Sequence, residues 1–386
     1  QIIDELMKYS NDIDMNAKDD DGSTVFHEVA NSLRFDVNIL KMLLDSKCDP
    51  NIANNEGNTP LHIACLKENN SFVSSLIELS PIEIDVNAIN NKYQTPLFIV
   101  CMMNDSRIFN TLFSCKLAHK IDINLTSPIY IAAIKESVLV EKLLEMPGID
   151  LNSNKKENQL SSISDESKYD FSGLNLMHIF SCSESTHLLK KLIQANQYDI
   201  NEPTSESVED KMNGTPLIIA LKNQKLKNLH LLLDSYNTNL DLTVYDKNGL
   251  AAIHYCLKLG SNGVNILSKL IKIDDSIINM KTKDSLKLTP LLFAFQENNL
   301  DCINPLLEQP SIDIFSVGVK HNTPVHYACI EKNRSDILDF ILTKVKGSTK
   351  NWQDIVDLIN IENDDGETAL MIACKNANFY AVKTLI

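Results

Sequence analysis

The strongest constraint on this chain is a short stretch that keeps returning, Thr59-Pro60-Leu61-His62-Ile63-Ala64-Cys65. Variants open at Thr24, Thr95, Ser127, Asn175, Thr215, Ala251, Thr289, Thr323 and Thr368, giving ten copies. Successive copies lie 35, 36, 32, 48, 40, 36, 38, 34 and 45 residues apart. A recurring period in this range marks a solenoid, in which each unit buries its apolar face only against its neighbours.

Each copy implies the same local structure. Thr accepts a hydrogen bond from a free backbone N–H and so starts a helix. Pro fits the first turn, where its missing N–H is not needed. Asn then stands where a left-handed residue must end the helix, at Asn69, Asn70, Asn104, Asn298, Asn299, Asn333 and Asn376. A second helix follows with apolar residues at helical spacing, as in Ile39, Leu40, Leu43 and Leu44. The unit closes on Asp-x-Asn, for example Asp49-Pro50-Asn51, Asp85-Val86-Asn87 and Asp122-Ile123-Asn124. Gly22, Gly57, Gly173, Gly249 and Gly366 lie two residues before the capping position, where a tight hairpin tip needs positive φ.

This combination resembles the ankyrin repeat, a β-turn and two helices with T-P-L-H-x-A opening the first. The resemblance implies an all-α solenoid of stacked helix-turn-helix units with β-hairpin loops. Residues 1–386 then form one array: 1–19 a partial repeat with a helix at 2–9, 20–152 repeats 1–4, 153–172 an insertion loop, and 173–386 repeats 5–10. The last repeat is truncated at Ile386 and neither end carries a polar cap, so a segment of a longer protein is expected. Residues 153–172 and, more briefly, 203–213 read as extended, mobile loops. Residues 346–356, which include Trp352, read as a lengthened connection. The copies at Ser127, Asn175 and Ala251, which depart from the pattern, should begin less crisply.

Five histidines, His27, His62, His178, His254 and His326, stand three residues after the cap. The resemblance implies that each bonds the cap and ties neighbouring units, rather than binding a metal. Cys65, Cys101, Cys329 and Cys374, six residues after Thr, read as small core residues, as does Cys256. No CxxC pair suggests zinc or redox chemistry, and no G-x-S-x-G, P-loop or H-E-x-x-H motif suggests catalysis. Catalytic, cofactor and metal sites are therefore expected to be absent. A net charge of −15 disfavours nucleic acid, and no apolar run suggests membrane insertion. A cytoplasmic location follows as an expectation.

What remains is binding. The resemblance places partner contacts on a concave face, just before the cap and seven to eight residues after it. These positions are Leu66, Lys92, Gln94, Met102, Met103 and Ile134, with Tyr93 added at a Gly position. Further along they are Leu286, Leu288, Lys320, Asn322 and Ile330. The expected function is a non-catalytic scaffold binding a partner protein. The alternative is a regulatory or targeting arm of a larger enzyme, GTPase regulator, endosomal adaptor or channel.

Overall fold

A computed structural model describes residues 14–32, 34–46, 48–151, 173–196, 198–205, 208, 210–235, 239–330, 335–348 and 352–386. The expected helix at 2–9, the loop 153–172 and the turn residue Asn333 lie outside them. Every one of the ten copies opens a helix. The chain divides into two compact units, residues up to Ile179 and residues from Phe180 onwards.

The first unit stacks four helix pairs: α1 (Val25–Asn31) with α2 (Val37–Asp45), α3 (Pro60–Leu66) with α4 (Asn70–Leu79), α5 (Pro96–Met103) with α6 (Ser106–Ser114), and α7 (Pro128–Ile134) with α8 (Leu139–Leu144). Helix α9 (Leu176–Cys182) contains the boundary between the units. The second unit holds α10 (Thr186–Ala195), α11 (Pro216–Lys222), α12 (Leu226–Ser235), α13 (Ala252–Leu257), α14 (Asn262–Ile273), α15 (Pro290–Gln296) and α16 (Leu300–Leu307). It ends with α17 (Pro324–Ile330), α18 (Ser335–Ser348), α19 (Trp352–Ile359), α20 (Ala369–Lys375) and α21 (Phe379–Leu385). The fold is an all-α solenoid. First helices pack on first helices, α1 on α3, α3 on α5 and α5 on α7, while α2, α4 and α6 do the same behind them. Each layer buries residues such as Phe26, Leu61, Phe72, Leu97 and Leu112.

The turn between paired helices divides its work between two residues. Glu68, Asn104, Glu136, Gln224, Asn298 and Ala377, each nine after the cap, take positive φ. The next residue opens the second helix: Asn69, Asp105 and Asn299 accept from Phe72, Ile108 and Cys302 backbone N–H groups. Asn69 and Asn299 are thus caps and not the left-handed residues expected. The amide of Asn69 also donates to the Ala30 carbonyl, and that of Asn299 to the Leu257 carbonyl, so one side chain starts a helix and holds the preceding repeat.

Among the described residues the hairpin loops contain no strand, only an isolated bridge between Tyr245 and Ala251. Each tip is a turn followed by a left-handed residue. At the second tip Gly57 N–H donates to Asn54 O and Asn54 N–H to Asn58 O, both 2.9 Å. The Asn54 side chain holds the turn from inside, accepting from Glu56 and Asn58 N–H. Gly57 has φ 77°, and a Cβ there would lie 2.7 Å from the Asn91 backbone nitrogen. Tips stack directly, Asn55 N–H on Asp21 O and Asn91 N–H on Glu56 O.

Three expectations are corrected. In place of an extended loop, the described residues of 203–213 include a short 3-10 turn (Asp210–Met212) and the buried Val208 and Met212, and Thr204 N–H donates to Gly214 O at 3.1 Å. The described residues of 346–356 are helical, because α18 runs to Ser348 and α19 starts at Trp352. Cys374 is exposed, since α20 packs on first helix α17 on one side only.

Candidate functional site

Four of the five first-helix histidines, His27, His62, His254 and His326, link repeats as expected. His62 Nδ1 accepts from Thr59 N–H at 3.1 Å and lies 2.8 Å from Thr59 Oγ1, which leaves Nε2 to donate to the Gln94 carbonyl at 3.0 Å. His27 reaches Asn58 O, His254 reaches Met280 O and His326 reaches Glu367 O in the same way. Burial holds His27, His62 and His326 below the ordinary imidazole pKa and pushes His254 down to about 4. These rings are neutral hydrogen-bonding groups at pH 7.

In three copies without the histidine, another side chain reaches the next repeat. Tyr130 donates its hydroxyl to Leu151 O at 2.8 Å. With Phe98 or Leu292 at that position, the capping hydroxyl meets the next repeat instead: Thr95 Oγ1 lies 3.3 Å from Thr126 Oγ1, and Thr289 Oγ1 3.2 Å from Ser316 Oγ. Asn175 caps cleanly, its Oδ1 accepting His178 N–H at 3.1 Å, so that departure costs nothing. Ser127 and Ala251 provide no side-chain cap, as expected.

The cysteines form no candidate site. Cys65, Cys101, Cys256, Cys302 and Cys329 are buried free thiols. Burial raises all five, Cys302 to about 11 and Cys329 to about 12, far from the thiolate that reactivity requires. Among the described residues no group of three or more His, Cys, Asp or Glu side chains is arranged to hold a metal ion.

The expected contact positions are best resolved in the first unit. Leu66, Met102 and Ile134 end α3, α5 and α7 at equivalent places, all half-buried. Met103, one residue on, is 37% exposed. At the tip before α5, Lys92 is exposed and Tyr93 is 56% exposed with φ 57°. Gln94 is half-buried and serves the scaffold: its carbonyl accepts from His62 and its Oε1 from Asn90. Further along, Leu286, Lys320 and Ile330 are exposed and Asn322 is half-buried. Leu288 is corrected: it is 1% exposed, and its N–H donates to the buried Thr282 hydroxyl.

Seven residues after the caps Thr215 and Ala251 stand Lys222 and Lys258; Lys222 turns inward, while Lys258 stays exposed. The Lys222 side chain is 5% exposed and its ammonium lies 2.6 Å from Asp246 Oδ2, on a carboxylate with no exposure. It also donates to Asp210 O at 2.7 Å and Asn213 O at 2.8 Å. Tyr255 donates its hydroxyl to the same Asp246 oxygen at 2.6 Å, and both Lys222 and Lys258 lie over its ring. Burial, then the Asp246 carboxylate, raise the phenol's pKa. Sequence reasoning missed this network. Its signal was a Lys in an otherwise apolar helix end, two residues after Ala220.

A profile described as ankyrin repeats (3 copies) matches residues 1–90 and 253–354. This is an ankyrin-repeat protein. Its repeats make it a protein-interaction module. The ankyrin chain is 23% identical over 221 residues to a Dictyostelium discoideum protein named NAD-dependent deacetylase sir2B, a match covering 52% of this chain and 27% of that one. It thus spans about a quarter of the length of that curated relative. Among solved structures, one ankyrin-repeat protein matches at TM-score 0.41 and 19% identity, covering 54% of this chain and 96% of that one. An ankyrin repeat domain from Acinetobacter baumannii matches at TM-score 0.43 and 16% identity, covering 54% and 95%. No helix among the described residues is long and apolar enough to cross a membrane.

Proposed function

We propose that this ankyrin array is a non-catalytic scaffold that captures a partner protein on the concave side of its first unit, through Leu66, Met102, Met103 and Ile134 with Tyr93 and Lys92 at the adjoining tip. One observation carries the reading: apolar side chains recur at the ends of α3, α5 and α7, half-buried or exposed, where the scaffold's own bonds do not use them. Exposed Met and aromatic groups on a rigid frame suit an adaptable protein contact. Specificity then comes from side chains that vary at fixed backbone positions. Buried free thiols fit a reducing compartment and support a cytoplasmic location.

Affinity capture with the chain and with its Met102→Glu/Met103→Glu variant tests the strip. Loss of the captured partner with an unchanged unfolding temperature supports it. Equal capture by both rejects it.

The similarity to a protein named as a deacetylase favours a second reading, an array that serves as an arm of a larger enzyme. The full reading frame decides this, because a catalytic segment beside the array is what that reading requires.

A further inference from the structure

Resting on the strip just described, we infer that its partner presents a bipartite segment, basic at one end and apolar at the other. The charges facing that side of the first unit are not evenly spread. The first two tips carry Asp20, Asp21 and Glu56, all exposed, and Glu28 is exposed on α1 above them. Asp21 and Glu56 hold the same place, three residues before the cap, and Asn55 N–H on Asp21 O stacks the two tips edge to edge. Asp20, Asp21, Glu28 and Glu56 have no ion-pair partner among the described residues. Lys18, the nearest cation in sequence, is tied to the Ala53 carbonyl at 2.8 Å. At the third tip the sign changes, with Lys92 in the place of Asp21 and Glu56.

Apolar character runs the other way. In α1 the positions four and seven after the cap are Glu28 and Asn31, both exposed. In α3 they are Ile63 and Leu66, and in α5 and α7 the seventh position is Met102 and Ile134. The face therefore grades from acidic on the first two repeats to apolar on the second to fourth. First helices packed about 10 Å apart put some 30 Å between the first and fourth. A helix of about 20 residues or an extended segment of about 9 spans that distance. Lys or Arg over Asp20, Asp21, Glu28 and Glu56 finds uncompensated carboxylates, and Leu, Met or aromatic anchors over Leu66, Met103 and Ile134 remove apolar surface from water. The reverse orientation sets the basic end against Lys92 and leaves the acids unmatched.

Selection from a random 20-residue peptide library displayed on phage, with the whole chain as bait, tests this. The expected winners carry Lys or Arg clustered at one end and apolar residues at the other. Two variants then place them: Met102→Glu/Met103→Glu and Asp20→Asn/Asp21→Asn/Glu56→Gln, each checked for native unfolding. Each is expected to weaken the winning peptides about tenfold or more, and raised salt to erase the effect of the second variant only. Winners that are neutral or acidic but still fail on the methionine variant overturn the bipartite partner and leave the strip standing. Winners indifferent to both variants, or no enrichment, overturn both.

Discussion

The first unit and helix α11 of the second use one backbone position in opposite ways. Seven residues after the cap, the first unit places Leu66, Met102 and Ile134, which end at the surface. The second unit places Lys222, whose ammonium is swallowed by Asp246, Asp210 and Asn213. Asp210 and Asn213 explain the difference, because they lie at the end of α11 and present two carbonyls to the lysine. A repeat position is therefore not a binding position by right. It becomes one only where no insertion covers it and no neighbouring tip supplies a counter-charge.

The largest expected effect breaks the covered side of this contrast. Lys222→Met leaves the Asp246 carboxylate buried without its cation and should cost about 3 kcal/mol or more. Leu66→Ala, at the equivalent but half-buried place, should cost at most about 1.5 kcal/mol. Hydrogen exchange read on α11 and α13, against α3 and α5, measures both. Equal effects would mean that the network contributes no more than a surface contact.

Acid should come next, and should act on both units. The four shifted histidines have folded pKa values below the unfolded 6.5, so the unfolded chain takes up protons first as pH falls. Stability is full above pH 6.5 and declines below it. His254, at about 4, should alone remove about 2 kcal/mol by pH 5. Urea unfolding at pH 7 and pH 5 checks the slope, and His254→Gln should flatten it. Repeats tied by Tyr130, or by the capping Thr95 and Thr289, have no imidazole there to titrate, so their exchange protection should change less with pH.

Smaller still, Met102→Glu/Met103→Glu should shift stability by less than about 1 kcal/mol, since the change is at the surface. A larger loss would show that the strip belongs to the core and not to a partner. The smallest perturbation is thiol labelling under native conditions: Cys374 should react at once, while Cys65 and Cys101 wait for opening of the fold.

The periodic half of this structure was legible because its causes are local. Thr-Pro starts a helix, Gly permits positive φ at the tips, and a His three residues on can reach its own cap. What was hidden depends on neighbours in space. No rule read from Asn69 alone says that it will cap its helix and also hold Ala30, and no spacing rule pairs Lys222 with Asp246. Cys374 and Leu288 show the same limit in opposite directions. Equivalent sequence positions differ in exposure once the packing on either side differs.

The asparagine of the Asp-x-Asn segment has a consequence for how such a chain changes length. Asn51 Oδ1 accepts from Asp85 N–H at 2.9 Å and its amide donates to Glu83 O at 2.8 Å. Asn87 repeats both bonds to Asp122 and Lys120, and Asn124 to Asp150 and Gly148. Each of these three Asn side chains serves the following module while its own N–H donates to the Asp two residues before it, like a plug fitted for the next socket. Duplicating or deleting a whole module keeps plug and socket matched, and the same contact is kept across spans of 34 residues from Asn51 to Asp85, 35 from Asn87 to Asp122 and 26 from Asn124 to Asp150. Recombination can thus lengthen or shorten the array in whole steps, and the loops between plug and socket can change length without unseating the pair.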